Sequence, residues 1–199
     1  MIKRVTSKMA ILVIMLVASG PSIAGETVPV RNCTWCHGTG AQGFTTAPRL
    51  AGQRYQYILN QLLDFSRQTR DNPLSKQYMW AAVANLSPQS ARDLAMYFST
   101  LPPKAASDGD GELAARGKEI YELGIANSNV AACVVCHGPN AEGVRQIPKL
   151  GGLAYSYLTK RLKQWGEGFH ATADPMPQIA SSLSADEIEA LASYLSFIK

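Results

Sequence analysis

The sequence is sparing with the residues from which most active sites are built. Its 199 residues hold four cysteines and three histidines, and all the cysteines and two of the histidines fall in two short motifs. No thiol is left over for another use, and no nucleophile or acid–base pair stands out beside the motifs. The longest apolar run, Met9 to Ala18, is ten residues, well short of the ~20 a bilayer-spanning helix needs. No stretch alternates polar and apolar residues long enough to read as a strand. No basic stripe or nucleic-acid motif is present, which excludes DNA and RNA as partners.

What is present is a pentapeptide used twice. Cys33-Thr34-Trp35-Cys36-His37 recurs as Cys133-Val134-Val135-Cys136-His137, the attachment pattern for c-type haem. Two cysteines three apart can each form a thioether to one porphyrin, and the histidine that follows presents a nitrogen to the iron. A zinc module would bring its second Cys pair within about 20 residues of the first. A redox dithiol would need a βαβ setting that neither pair has. Two covalent haem c groups are therefore expected.

The repeat extends well beyond the motif. At an offset of 100, Gly38, Gly43, Pro48, Leu50, Gly52, Tyr55, Tyr57 and Leu62 recur. At an offset of 97, Met79, Leu86, Ser87, Leu94, Ala95 and Tyr97 recur. One module has been duplicated, giving domain one at 25–103, a linker at 104–111 and domain two at 112–199. Pro102-Pro103 stops a helix there, and Ser107 to Gly111 reads as polar, flexible turn material. Modules of this size make thin cores that a buried porphyrin would complete.

The chain reads as all-α. Ser184-Ala185-Asp186-Glu187 is a capping box, followed by Ile188, Leu191, Ala192, Leu195 and Ile198 at helical spacing. The matching helix of domain one starts at Ser87 with Pro88 at its first position and is expected to bury Ala91, Leu94, Ala95, Tyr97 and Leu101. Middle helices follow Gly52 and Gly152, and an extra helix from about Glu112 to Gly124 opens domain two. Domain one has only Gly25 to Asn32 before its motif, so its first helix is missing or reduced to a turn.

Each iron takes His37 or His137 as its first axial ligand and needs a second. A methionine thioether is soft and raises the reduction potential. Met79 and Met176 hold equivalent repeat positions and are the expected ligands, whereas Met96 is matched by Ser193 and reads as core. His170 could serve the second iron instead, although a solvated loop histidine is the plainer reading. Pro48 and Pro148 each follow their motif histidine by eleven residues, and their carbonyls are expected to accept the other imidazole N–H. Gly43 and Gly143 would let their loops pass close to the porphyrin. The tryptophans Trp35, Trp80 and Trp165 read as core or haem-pocket lining.

Residues 1–24 read as a secretory signal, with Lys3, Arg4 and Lys8 before the apolar run and Ser22-Ile23-Ala24 at the cleavage site. The mature chain would begin near Gly25, in the periplasm, where this haem motif is loaded. Without the segment, 19 basic and 15 acidic residues become 16 and 15. The remaining charge is uneven, with 7 bases against 4 acids in domain one and 8 against 9 in domain two.

With these features in place the chain resembles a dihaem cytochrome c4, a tandem of class I cytochrome c domains. The stretch Pro48-Arg49-Leu50-Ala51-Gly52-Gln53, with Tyr57, Gln61, Leu62 and Phe65, is similar to that family's post-haem segment. The resemblance implies two haems facing each other across a domain interface. It also implies single-electron transfer from respiratory or dehydrogenase donors, such as a cytochrome bc complex, to a terminal oxidase. Peripheral attachment to a membrane stays open. An alternative is the cytochrome subunit of a flavocytochrome-like dehydrogenase; a dihaem peroxidase ranks lower because it needs an iron that can lose its distal ligand. On charge alone, Arg49, Arg54 and Arg70 mark domain one as the docking face, ahead of Lys160, Arg161 and Lys163.

Overall fold

The computed structural model describes residues 30–199, so the expected secretory signal at residues 1–24 and the chain before Val30 lie outside the described residues. The described chain is helical. Domain one runs through α1 (Val30–His37), α2 (Tyr55–Ser66), a π-helical turn (Ser75–Met79) continuing into α3 (Trp80–Ala82), and α4 (Pro88–Thr100). Domain two runs through α5 (Gly111–Leu123), α6 (Val134–His137), α7 (Tyr155–Gly166), α8 (Met176–Ser181) and α9 (Ala185–Phe197). Among the described residues the only β pairing is two isolated bridges.

Local chemistry accounts for the helix starts. Ser184 accepts from the Glu187 amide while the Glu187 carboxylate reaches back to the Ser184 amide, completing the capping box of α9. Ser87 caps α4 by accepting from the Ser90 amide, and Asp110 caps α5 by accepting from the Glu112 amide.

The duplication is visible in the backbone hydrogen bonds. Gly43 donates to the His37 carbonyl as Gly143 does to that of His137, both at 2.8 Å, and Leu50 and Leu150 donate to Ala41 and Ala141. Gly43 and Gly143 sit at φ +85° and +66°, where a Cβ would lie 2.5 Å from the Arg49 nitrogen and 2.4 Å from the Ile147 oxygen. The glycines are required because the loop packs on its own return strand of chain. That return segment carries the Pro48 and Pro148 carbonyls.

Each half has its own core. In domain two α5 crosses α9 so closely that a Cβ on Gly117 would lie 1.9 Å from the Ala190 oxygen, and Tyr121 packs on Tyr194 with ring centroids 5.6 Å apart. Both faces of α9 are thereby covered, leaving Ser193 and Ser196 fully buried alongside Leu191 and Leu195. In domain one no equivalent helix covers α4 among the described residues. Two expectations fail for this reason. Met96 is 56% and Tyr97 43% exposed, so neither is core. The stripe that does pack is Ala91, Leu94, Ala95 and Phe98, an i, i+3, i+4, i+7 face on which Phe98 takes the place expected for Tyr97.

The connection between the halves is not loose turn material. Ser107 donates to the Ser196 carbonyl, Gly109 and Asp110 donate to the Ser196 and Ser193 hydroxyls, and the Asp108 carboxylate accepts from the Tyr155 amide. The segment is laid along α9 and fixed there.

Candidate haem sites

Helices α1 and α6 carry the motifs and present them alike. In each, the first cysteine is half-buried, the second exposed and the histidine buried. The His37 Nδ1–H donates to the Pro48 carbonyl at 2.7 Å, and the His137 Nδ1–H to the Pro148 carbonyl at 3.0 Å. A carbonyl can only accept, so the proton is on Nδ1 and Nε2 keeps its lone pair for a metal. Burial lowers both imidazole pKa values, against the pull of the proline carbonyls, and the nearby Arg70 cation adds to the effect at His37. Both rings are therefore held in the neutral form that ligates iron.

The thiols do not behave as a redox or zinc pair would. Burial raises the pKa of Cys33 and pushes that of Cys133 up to about 11, the reverse of an activated dithiol. All four cysteines are free of disulfides. Among the described residues no cluster of three or more His, Cys, Asp or Glu could hold a metal ion.

Met79 ends the π-helical turn and Met176 opens α8. Both are half-buried, and Met176, like Cys133 and Trp165, packs on the domain-two core. The tryptophans differ from one another. Trp80 Nε1–H donates to the Arg70 carbonyl at 3.0 Å, Trp165 packs on the core, and Trp35 is 83% exposed on α1, so it is not core.

Of the three arginines read from the sequence as docking charges, Arg49 and Arg70 are buried and Arg54 is half-buried. Arg49 is buried and donates through Nη1 and Nη2 to the carbonyls of Lys104, Gly152 and Gly151, at 2.7, 2.8 and 2.7 Å. Burial lowers its pKa to about 10, so it stays charged at neutral pH. Arg54 Nε–H donates to the Glu142 carbonyl at 2.7 Å. Gln53 and Lys149 exchange a reciprocal pair, side-chain amide to carbonyl at 2.9 Å and backbone N–H to side-chain oxygen at 2.7 Å. Arg70 is buried and reaches the Tyr157 hydroxyl at 3.3 Å. These bonds join the two domains.

His170 is likewise not a solvated loop residue. It is 5% exposed, its backbone N–H donates to the Asp71 carboxylate at 2.7 Å, and its Nδ1 accepts from Arg161. Sequence reasoning missed this network because the bonds that join the domains, such as His170 to Asp71, link residues far apart in the chain. One signal was available: Gln53 breaks the repeat at a position where the other copy has Leu153.

The buried guanidinium groups also test whether haem fits. Arg70 Nε has no partner, and none of the ion pairs among the described residues involves Arg70 or Arg161. Buried cations without carboxylates call for an anionic partner, and a haem supplies two propionates. Together with the free Nε2 of each motif histidine, the donor set fits the group.

Arg49→Ala is expected to destabilise the protein by roughly 2–4 kcal/mol, because three carbonyls lose a charged donor at once. Urea unfolding measures the loss. Calorimetry should show the single transition splitting as the domains melt separately.

Comparison with known proteins agrees with this geometry. The cytochrome c family model matches residues 22–102 and 114–199. The chain is 32% identical to cytochrome c4 of Thiocapsa roseopersicina, over 88% of this chain and 92% of that one. It is 36% identical to the thiosulfate dehydrogenase electron acceptor of Stutzerimonas stutzeri, over 81% and 76%. The solved structure of Acidithiobacillus ferrooxidans cytochrome c4 superposes with a TM-score of 0.79 at 31% identity, covering 83% of this chain and 98% of that one. Two tandem cytochrome c domains, each with an intact haem motif, make this chain an electron carrier with two covalent haem c groups, and it belongs to the dihaem cytochrome c4 family.

Proposed function

We propose that the protein is a periplasmic shuttle that carries single electrons from a dehydrogenase or cytochrome bc-type donor to a terminal oxidase. Its irons would be held by His37 with Met79 and by His137 with Met176. The haem supplies an iron that cycles between ferric and ferrous states. The protein's own residues fix the histidine tautomers, bury the ligand side of each motif and lock the two modules together.

The observation that carries this reading is the orientation of the motifs. His37 and His137 are buried while Cys36 and Cys136 lie at the surface, flanked by Trp35 and by Val135, which is 78% exposed. This arrangement suits electron transfer through an exposed edge of each site. The periplasmic assignment is supported by the basic and apolar pattern of residues 1–24 and by the attachment chemistry of the motif. Among the described residues no helix is long and apolar enough to cross a membrane.

A second reading, a bound electron acceptor of a sulfur-compound dehydrogenase, is favoured by the Stutzerimonas relative's name. Stopped-flow mixing separates the two. A free shuttle should reduce oxidase-containing membranes with saturation at low protein concentration and a rate that falls with salt. A bound subunit should do so only as a purified complex. Because Arg49, Arg54 and Arg70 serve the domain interface, neutralising them should break that interface, and they do not report on docking.

A further inference from the structure

The two halves place a buried guanidinium over an aromatic ring at the same repeat position, yet take it from different positions. In domain one the Arg70 guanidinium lies 4.8 Å from the centroid of Phe65. In domain two the Arg161 guanidinium lies 4.2 Å from the centroid of Trp165. Phe65 and Trp165 are equivalent at the offset of 100, but Arg70 is equivalent to His170, and Arg161 to Gln61. Donor and acceptor have been exchanged. In domain one an arginine on the loop after α2 donates to Gln61 Oε1 on the helix at 2.5 Å. In domain two an arginine on α7 donates to His170 Nδ1 on the loop at 2.5 Å.

The exchange keeps the cation on its ring and gives His170 a task that Arg70 does not have. Nδ1 accepts, so the imidazole is neutral with its proton on Nε2. Burial, reinforced by the Arg70 and Arg161 cations and opposed by Asp71, lowers its pKa to about 3. The groups that face the cluster are Tyr57, Gln61, Arg70 and Asp71 from domain one, and Tyr157, Arg161 and Gln164 from domain two. His170 is the strong acceptor of Arg161, whose other bond, to Gln164, is 3.4 Å long. Trp165, under the guanidinium, packs on the core that also touches Cys133 and Met176. A cation fixed there disfavours the ferric state of the domain-two haem.

We propose that His170 is a positioning residue that fixes the Arg161 guanidinium on Trp165 at the domain interface, and thereby raises the reduction potential of the domain-two haem. Gln61 does the same for Arg70 in domain one. The exchange lets each potential be tuned by a neutral acceptor on a different element, with no change in net charge.

The test is spectroelectrochemical titration of the holo-protein, with the domain-two potential assigned as the one that Met176→Ala lowers. His170→Ala should shift the domain-two potential downward and leave the other in place. His170→Gln, which keeps a neutral acceptor, should restore most of the shift. Gln61→Ala should lower the domain-one potential instead. If His170→Ala leaves both potentials unchanged, or His170→Gln is as damaging as His170→Ala, the proposal is overturned. The sulfur-to-iron charge-transfer band should persist in His170→Ala, His170→Gln and Gln61→Ala. Its loss in His170→Ala would mean that His170 acts on iron ligation, which also overturns the proposal. No redox partner takes part, so failure of the shuttle reading would leave these results intact.

Discussion

Replacing Cys133 and Cys136 together with alanine is expected to leave one covalent haem per chain, in domain one, and to unfold domain two at temperatures where domain one persists. Each thioether is a bond to the porphyrin, and there is no other cysteine to substitute for the lost pair. Without the tether only the coordinate bonds proposed for His137 and Met176 would hold the group, and a haem without thioethers is free to dissociate. The core loses as well, since Cys133, Leu150, Tyr155, Trp165 and Met176 all pack at its margin and would face water in place of a porphyrin. Domain one keeps a separate core built on Ile58, Leu94 and Phe98, and so should keep its haem. Mass spectrometry of the denatured protein counts the groups, and the far-ultraviolet melt shows which half is lost. Two haems in the variant, or none, would contradict the assignment of the motifs.

The parts of the fold that were legible in the sequence are those set by neighbours in the chain. The capping box at Ser184, the proline after Ser87 and the spacing of Ile188, Leu191 and Leu195 each encode structure within one or two turns. The motif histidines and the proline carbonyls eleven residues away were legible because the duplication shows the same spacing twice. The domain interface was not legible. Arg49 and Arg54 look like surface charges until the carbonyls of Gly151, Gly152 and Glu142, about a hundred positions away, are brought to them, and Arg70 until the Tyr157 hydroxyl is. Charge predicts exposure only when no distant backbone acceptor is waiting. Tyr97 and Phe98 show the same limit on a smaller scale. Both are aromatic and adjacent on α4, and which one is buried depends on a face that is covered in domain two and open in domain one.

Met79→Ala and Met176→Ala are each expected to remove about half of the sulfur-to-iron charge-transfer band and to lower one of the two reduction potentials, since a thioether ligand favours ferrous iron. The two residues are equivalent in the repeat at an offset of 97, and both are half-buried at the end or start of a helical turn. The π-helical turn ending at Met79 is of a kind often found at functional sites. His170 is the alternative second ligand in domain two, and its surroundings argue against it. Its Nδ1 is taken by Arg161, its backbone is tied to Asp71, and two guanidinium groups stand beside it. Bringing a cationic iron to that ring would add a third positive centre to a buried cluster in which Asp71 is the carboxylate that faces two guanidinium groups. In Met176→Ala the iron should therefore become high-spin or take water, with His170 staying on Arg161. Absorption spectra of the oxidised variants decide it. A full charge-transfer band in Met176→Ala, lost only when His170 is also replaced, would assign the ligand the other way.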